Sequence, residues 1–268
     1  MSEGPPGTSH ALVRPAARDD IPALVILARR AFINDPFTNY CGDLKEALSN
    51  DVSTPRRQHL EIFYRMLFGA IIHSGGRVMV VAVPIPPKSD DGQSTGAERK
   101  RNRRRDKITA VAAWLPPHVR IGLDHPWALL RSGLVGAVRR WGLKGAHRAG
   151  IEYGSKVEKA FEEIYKARGV KETERDAWYL QLAATEPDEQ GKGYLSLLVR
   201  EAFAHTPSAT FVLEATTEKS RDHYDHFGFQ LERPIVFGKG QFDSSGYRAK
   251  GESAQGFQIY AMVKWTGS

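Results

Sequence analysis

The chain has 268 residues, 41% of them apolar, enough to bury one sizeable core or two small ones. Its 38 Lys and Arg against 31 Asp and Glu give a formal net charge of +7, a small excess that matches an anionic small molecule as well as any polymer. The single cysteine, Cys41, excludes an internal disulfide, the longest apolar run, Val78 to Val83, is far too short for a bilayer, and no His/Cys spacing matches a metal site.

Residues 1–10 are polar, rich in Gly and Pro and without a signal-peptide pattern, so a disordered tail on a soluble, intracellular protein is expected, with residues 11–268 forming one domain. Leu12 to Ala16 reads as a first strand. Asp19 and Asp20 supply N-cap character, and Pro22 sits in the first turn of a helix whose buried face is Ile21, Leu24, Val25, Ala28, Ala31 and Phe32. Asn34-Asp35-Pro36 should end it, leaving Asp35, Phe37, Asn39 and Tyr40 in a polar-aromatic loop. A second helix fits Pro55 to His73, and Arg77 to Val83 and Lys107 to Leu115 read as paired strands. Between them, residues 84–106 hold the run Arg99 to Arg105 and too little apolar surface to order themselves, which predicts a mobile basic insertion. A solvated loop is the plain reading of that run. A nuclear-import address or an RNA-adhesive patch is the functional one. Residues 119–168 follow helical spacing through Trp127, Leu130, Leu134, Val138 and Trp141, then through Val157, Phe161 and Ile164. Glycines interrupt the first part, each costing a helix about 1 kcal/mol relative to alanine. This stretch is expected to be a helical cap over a substrate, or a plain helical spacer.

The densest signal lies in residues 177–229. Trp178 to Thr185 reads as a strand stopped by Glu186-Pro187, and the turn Gln190-Gly191-Lys192-Gly193 follows. Tyr194/Leu195, Leu198/Val199 and Ala202/Phe203 then form a helical stripe. Thr210 to Ala215 is a further strand, and a short polar helix stops at Phe227-Gly228. Glycines at a helix start let backbone N–H groups approach a ligand, and the helix dipole favours an anion there, so a pyrophosphate is the natural guest. The plainer alternative is that Gly191 and Gly193 only shape a turn. Two more strands, Gln230 to Phe237 and Phe257 to Trp265, flank a Gly/Ser-rich loop from Gly238 to Gly256 that shows no periodicity.

Gln190-x-x-Gly193 resembles the acyl-CoA-binding turn of the GNAT (Gcn5-related N-acetyltransferase) superfamily, usually Arg/Gln-x-x-Gly-x-Gly/Ala. Tyr224-x-x-Phe227-Gly228-Phe229 resembles that family's Tyr-x-x-x-Gly-Phe signature, and Val13-Arg14-Pro15-Ala16-Ala17-Arg18-Asp19-Asp20-Ile21-Pro22 extends the likeness toward puromycin N-acetyltransferase and its relatives. Leu195 departs from the pattern, filling the slot of the final small residue. The resemblance implies an α/β (α+β) fold, the GNAT fold, with a mixed central β-sheet of about six to seven strands and splayed fourth and fifth strands. It implies acetyl-CoA as donor and a small-molecule amine as acceptor, with a protein acceptor or a non-catalytic acyl-CoA-binding module as alternatives.

By position the cofactor would meet Ala183, Ala184 and Thr185 on the fourth strand, the turn Gln190, Gly191, Lys192, Gly193, Tyr194, Leu195 and Ser196, and Ser220. Tyr224 takes the place of the family's general acid. Glu214, at the end of the fifth strand, is the first choice of base, with His118 and His223 behind it; a solvated or paired glutamate is its plainer reading. Asp35 and Tyr40 fall in the loop that lines the family's acceptor pocket, where Asp35 would hold an ammonium or simply cap a turn. The expected setting is the cytoplasm, or the nucleus if the basic run is an address. A homodimer fits the family, and neither a membrane nor a nucleic acid is an expected partner.

Overall fold

The computed structural model describes residues 11–50, 54–85, 106–122 and 126–266; the tail and the basic run Arg99 to Arg105 lie outside them. Seven strands form one mixed sheet in the order β1-β2-β3-β4-β5-β7-β6. They are β1 (Leu12–Pro15), β2 (Arg77–Pro84), β3 (Asp106–Leu115), β4 (Trp178–Thr185), β5 (Phe211–Ala215), β6 (Gln230–Phe237) and β7 (Phe257–Lys264). Every neighbouring pair is antiparallel except β4 and β5, which run parallel. This is the mixed sheet that the resemblance implies.

Alternation along the strands divides the core between the two faces of the sheet. Val80, Val111, Leu182, Val212 and Ala261 pack on one face, beneath α1 (Ile21–Phe32), α3 (Pro55–His73) and α6 (Tyr153–Arg168). Val81, Ala112, Leu180, Leu213 and Met262 pack on the other, beneath α7 (Tyr194–His205) and α8 (Glu218–Asp225). Among the described residues no helix is long and apolar enough to cross a membrane.

Three regions carry detail beyond the expectation. The polar-aromatic loop contains a short helix, α2 (Pro36–Cys41), because Asp35 and Pro36 end one helix and start the next. Asp35 accepts hydrogen bonds from the amides of Phe37 and Thr38, and the proline needs no amide partner at the first helical position. The cap region is a chain of pieces, α4 (Pro126–Arg131), α5 (Leu134–His147), a π-helical turn (Arg148–Glu152) and α6. Gly133 at φ 100° separates α4 from α5, and Gly142 at φ 75° breaks α5 internally. Of the residues that follow helical spacing, Trp127 is 76% exposed, whereas Trp141 packs on Phe63 and donates to the His59 carbonyl at 3.0 Å. The loop after β6 is ordered by side chains instead of by a repeat: Phe242 is buried, and Arg248 lies over its ring and binds Asp43 at 2.7 Å.

Candidate active site

The sheet opens between β4 and β5. Only Trp178–Phe211 and Tyr179–Val212 are in register, and beyond them the strands part. A β-bulge explains where. Ala113 faces Leu182 and Trp114 faces Leu180, so Gln181 has no counterpart on β3, and the extra residue bends β4 immediately after its contact with β5. The Glu186 amide bonds the Thr109 carbonyl at 2.8 Å, which sets the alternation of the ladder. It follows that Ala183 and Thr185 turn their backbone groups toward the gap. Ala184, expected beside them, does not join them. Its backbone pairs with Val111 on β3, and its methyl is buried in the core.

At the end of β4 the chain passes through a short 3-10 turn (Pro187–Glu189) into the glycine turn. Gly191 and Gly193 sit at φ 80° and 81°, in the left-handed region that a β-carbon disfavours. Gly193 is the N-cap of α7 and provides no side chain to it, and the first backbone bond of the helix is Leu197 amide to Gly193 carbonyl. The amides before Leu197 therefore remain as uncapped donors at the positive end of a 12-residue helix. Tyr194 turns inward, and Leu195 and Ser196 are half-buried, with Leu195 packed on the α7 core. The one large departure from the family pattern thus points away from the amides.

Ion pairs brace the turn from both sides. Glu189 binds Lys107 at 2.6 Å and Lys192 at 2.5 Å, and these two cations hold its carboxyl below the ordinary range. Arg30 of α1 reaches Glu186 at 2.5 Å and Asp188 at 2.9 Å, while Lys219 donates to the Gln190 side chain at 3.3 Å. Ser220 stands nearby in the first turn of α8, where Thr217 caps its amide and the two hydroxyls meet at 2.8 Å.

The two faces of the sheet differ in chemistry. On the α7 face, Tyr224 packs edge-on against Phe229 at 5.8 Å and is 8% exposed; burial alone pushes its phenol up, so it is a neutral proton donor. On the opposite face, Glu214 Oε2 accepts from the Tyr179 hydroxyl at 2.5 Å and the Tyr153 hydroxyl at 2.8 Å. Its Oε1 is buried and has no hydrogen-bond partner among the described residues. Desolvation raises this carboxyl, against the pull of the two tyrosines and of Arg120, whose guanidinium lies 5.0 Å from the Tyr179 ring centroid. Both tyrosines are themselves pushed well up by burial and by Glu214, so they stay neutral donors. A buried carboxylate with one free oxygen can accept a proton or hold an ammonium.

Tyr153, Tyr179 and Arg120 were not legible as site residues. Tyr179 could have been found: it pairs with Val212, and Glu214 lies two residues further along the same face of β5. Asp35 has the cap role. Its Oδ1 receives the α2 amides, its Oδ2 receives the Thr216 hydroxyl, and it is 9% exposed, which leaves no open carboxylate for an amine. Tyr40 does line a cavity, of about 530 Å³, with its hydroxyl on Glu152 Oε2 at 2.5 Å. His118 is an exposed residue at φ 62°, 3.5 Å from Asp176.

No protein-family model matches the chain. It is 30% identical over 133 residues to an uncharacterised N-acetyltransferase of Schizosaccharomyces pombe, a match covering 48% of this chain and 50% of the relative. The chain thus aligns with about half the length of that curated relative. Among solved structures, a histone acetyltransferase HPA2 and related acetyltransferase of Corynebacterium glutamicum superposes with a TM-score of 0.52 at 18% identity, over 97% of this chain and 98% of the other. Arylalkylamine N-acetyltransferase 2 of Aedes aegypti gives 0.51 at 11% identity, over 96% and 99%.

Proposed function

From a chain with the GNAT acetyltransferase fold, we propose an acetyl-CoA-dependent N-acetyltransferase that acylates a primary amine of a small molecule directly, in a ternary complex. The observation that carries the reading is the gap between β4 and β5. It lies beside an uncapped helix start, with Tyr224 and the Glu214 cluster on opposite faces of the sheet.

The chain fits the donor. Amides from Gly191 to Ser196 would take the diphosphate at the helix start, with Lys192 and Lys219 adding positive charge. The Ala183 and Thr185 backbone groups would pair with the pantetheine arm as an added strand does. Bound acetyl-CoA would supply an acyl carbon activated by its bond to sulfur. The residues around that carbon divide the remaining work. Glu214 takes a proton from the incoming ammonium, directly or through water, and its raised affinity for protons suits that task. A β4 amide facing the gap stabilises negative charge on the carbonyl oxygen, a contribution worth roughly 3 kcal/mol for a preorganised donor. Tyr224 would give a proton to the departing thiolate and be restored by the second proton that the acylated nitrogen sheds, while Glu214 passes the first to solvent. Because the sheet separates the two groups, donor and acceptor can enter from opposite sides and meet only in the gap.

The test is thiol release from acetyl-CoA across a panel of amines, with Tyr224→Phe alongside. Amine-dependent release, lost in the variant while acetyl-CoA still binds, supports the reading. Tight acetyl-CoA binding with no release for any amine would reduce the chain to a binding module.

A further inference from the structure

The cavity beside Tyr40 has a composition that the reaction does not explain. It lies between α5, the π-helical turn and the end of β6, has a volume of about 530 Å³ and is open to solvent. Four cations line it, Lys144, Arg148, Lys156 and Lys239, against one carboxylate, Glu152. The internal pairs are already complete. Lys156 binds Glu152 at 3.1 Å, and Tyr40 adds a hydrogen bond that helps hold that carboxyl below its ordinary range. Arg148 binds Asp43 at 2.8 Å, which Arg248 also holds. Lys144 and Lys239 are left over, exposed and without an ion pair among the described residues, and they give the cavity an excess of positive charge over the single carboxylate that lines it.

The cavity also adjoins the proposed acceptor side. Glu152, on its wall, precedes Tyr153 in the chain, and Tyr153 stacks on Phe237 at 5.7 Å while its hydroxyl reaches Glu214. Tyr40 leans on the same Phe237 from the cavity side, at 6.3 Å. An amine at Glu214 and a group in the cavity are thus separated by little more than this aromatic layer.

We propose that the cavity binds an acid group, carboxylate or phosphate, carried by the acceptor, so that the acceptor is an elongated amine with an anionic far end. This rests on the transferase reading above. Glu214 and its tyrosines would receive the amine, and Lys144 and Lys239 would receive the acid, so a simple diamine would meet the wrong charge at its second end.

Two measurements on the full chain separate this assignment from the reading it rests on. The first is calorimetric binding of glutarate and inorganic phosphate at low salt, to the native chain and to Lys144→Glu/Lys239→Glu; both substitutions are at exposed side chains. Binding to the native chain, weakened by about tenfold or more in the variant and by added salt, is expected. The second compares KM for 6-aminohexanoate and for hexylamine. A KM lower by about tenfold for the acid-bearing amine, with the preference erased in the variant, is the expected outcome. No anion binding to the native chain overturns the site. Anion binding with equal KM values, or glutarate inhibition that the amine does not relieve, overturns the acceptor assignment and leaves a site for a free anion. Anion binding with no amine turned over defeats the transferase reading and the acceptor assignment together.

Discussion

The glycine turn and the Glu214 cluster lie on opposite sides of one gap and are built in opposite ways. The turn is local. Its donors are backbone amides, its shape follows from two left-handed glycines shortly after the end of β4, and its braces are exposed ion pairs. The Glu214 cluster is assembled from distant segments. β5, β4 and the start of α6 each contribute one polar side chain, and burial gives the group its proton affinity. A site made from backbone conformation tolerates change in its surroundings, whereas a site made from buried side chains depends on every element that surrounds it.

The sharpest break of this comparison is Glu214→Gln. The amide keeps an oxygen for the tyrosines but cannot accept a proton, so kcat is expected to fall by about 10² or more, with acetyl-CoA affinity unchanged by titration. Gly193→Val acts on the other side. A β-branched residue at φ 81° is strained and disturbs the amides, so acetyl-CoA affinity should weaken by about tenfold or more, while the environment of Glu214, read from the pH–rate profile, stays where it was. Tyr153→Phe sharpens the contrast. Removing one hydrogen bond to the carboxylate raises its pKa further, and the rising limb of the pH–rate profile should move up by about one unit, since a bond to a charged group is worth roughly 1.5 kcal/mol.

The smallest effect concerns stability. The Glu214 carboxyl binds its proton more tightly folded than unfolded, so the stability it contributes is present below its unfolded pKa and is lost as pH rises through the raised folded value. Thermal melts between about pH 5 and pH 8 should show Glu214→Gln losing less stability than the native chain as pH rises. An equal loss in both proteins would mean that this carboxyl is not perturbed.

Much of the fold was readable because its signals are local. Pro55–His73, Trp178–Thr185 and Gln230–Phe237 are bounded as the apolar periodicity and the flanking breakers predict. Gly191, Gly193 and Gly228 adopt the positive φ that their turns require. The exposure of Trp127 was not legible because helical spacing reports which residues share a face, not whether another element covers it. Asp35 showed its cap in the Asp-Pro pair, but nothing local placed the Thr216 hydroxyl on its second oxygen, because those residues are 181 positions apart.

The sequence by itself determined the strand–turn–helix unit, with its glycine conformations and its uncapped amides, since each depends on residues within a few positions of one another. Only the tertiary structure decided that Tyr153 and Tyr179 close on Glu214, that Ala184 turns away from the gap, and that Lys144 and Lys239 share a cavity. Desolvation and charge balance are properties of what surrounds a group in space, and chain order does not carry them.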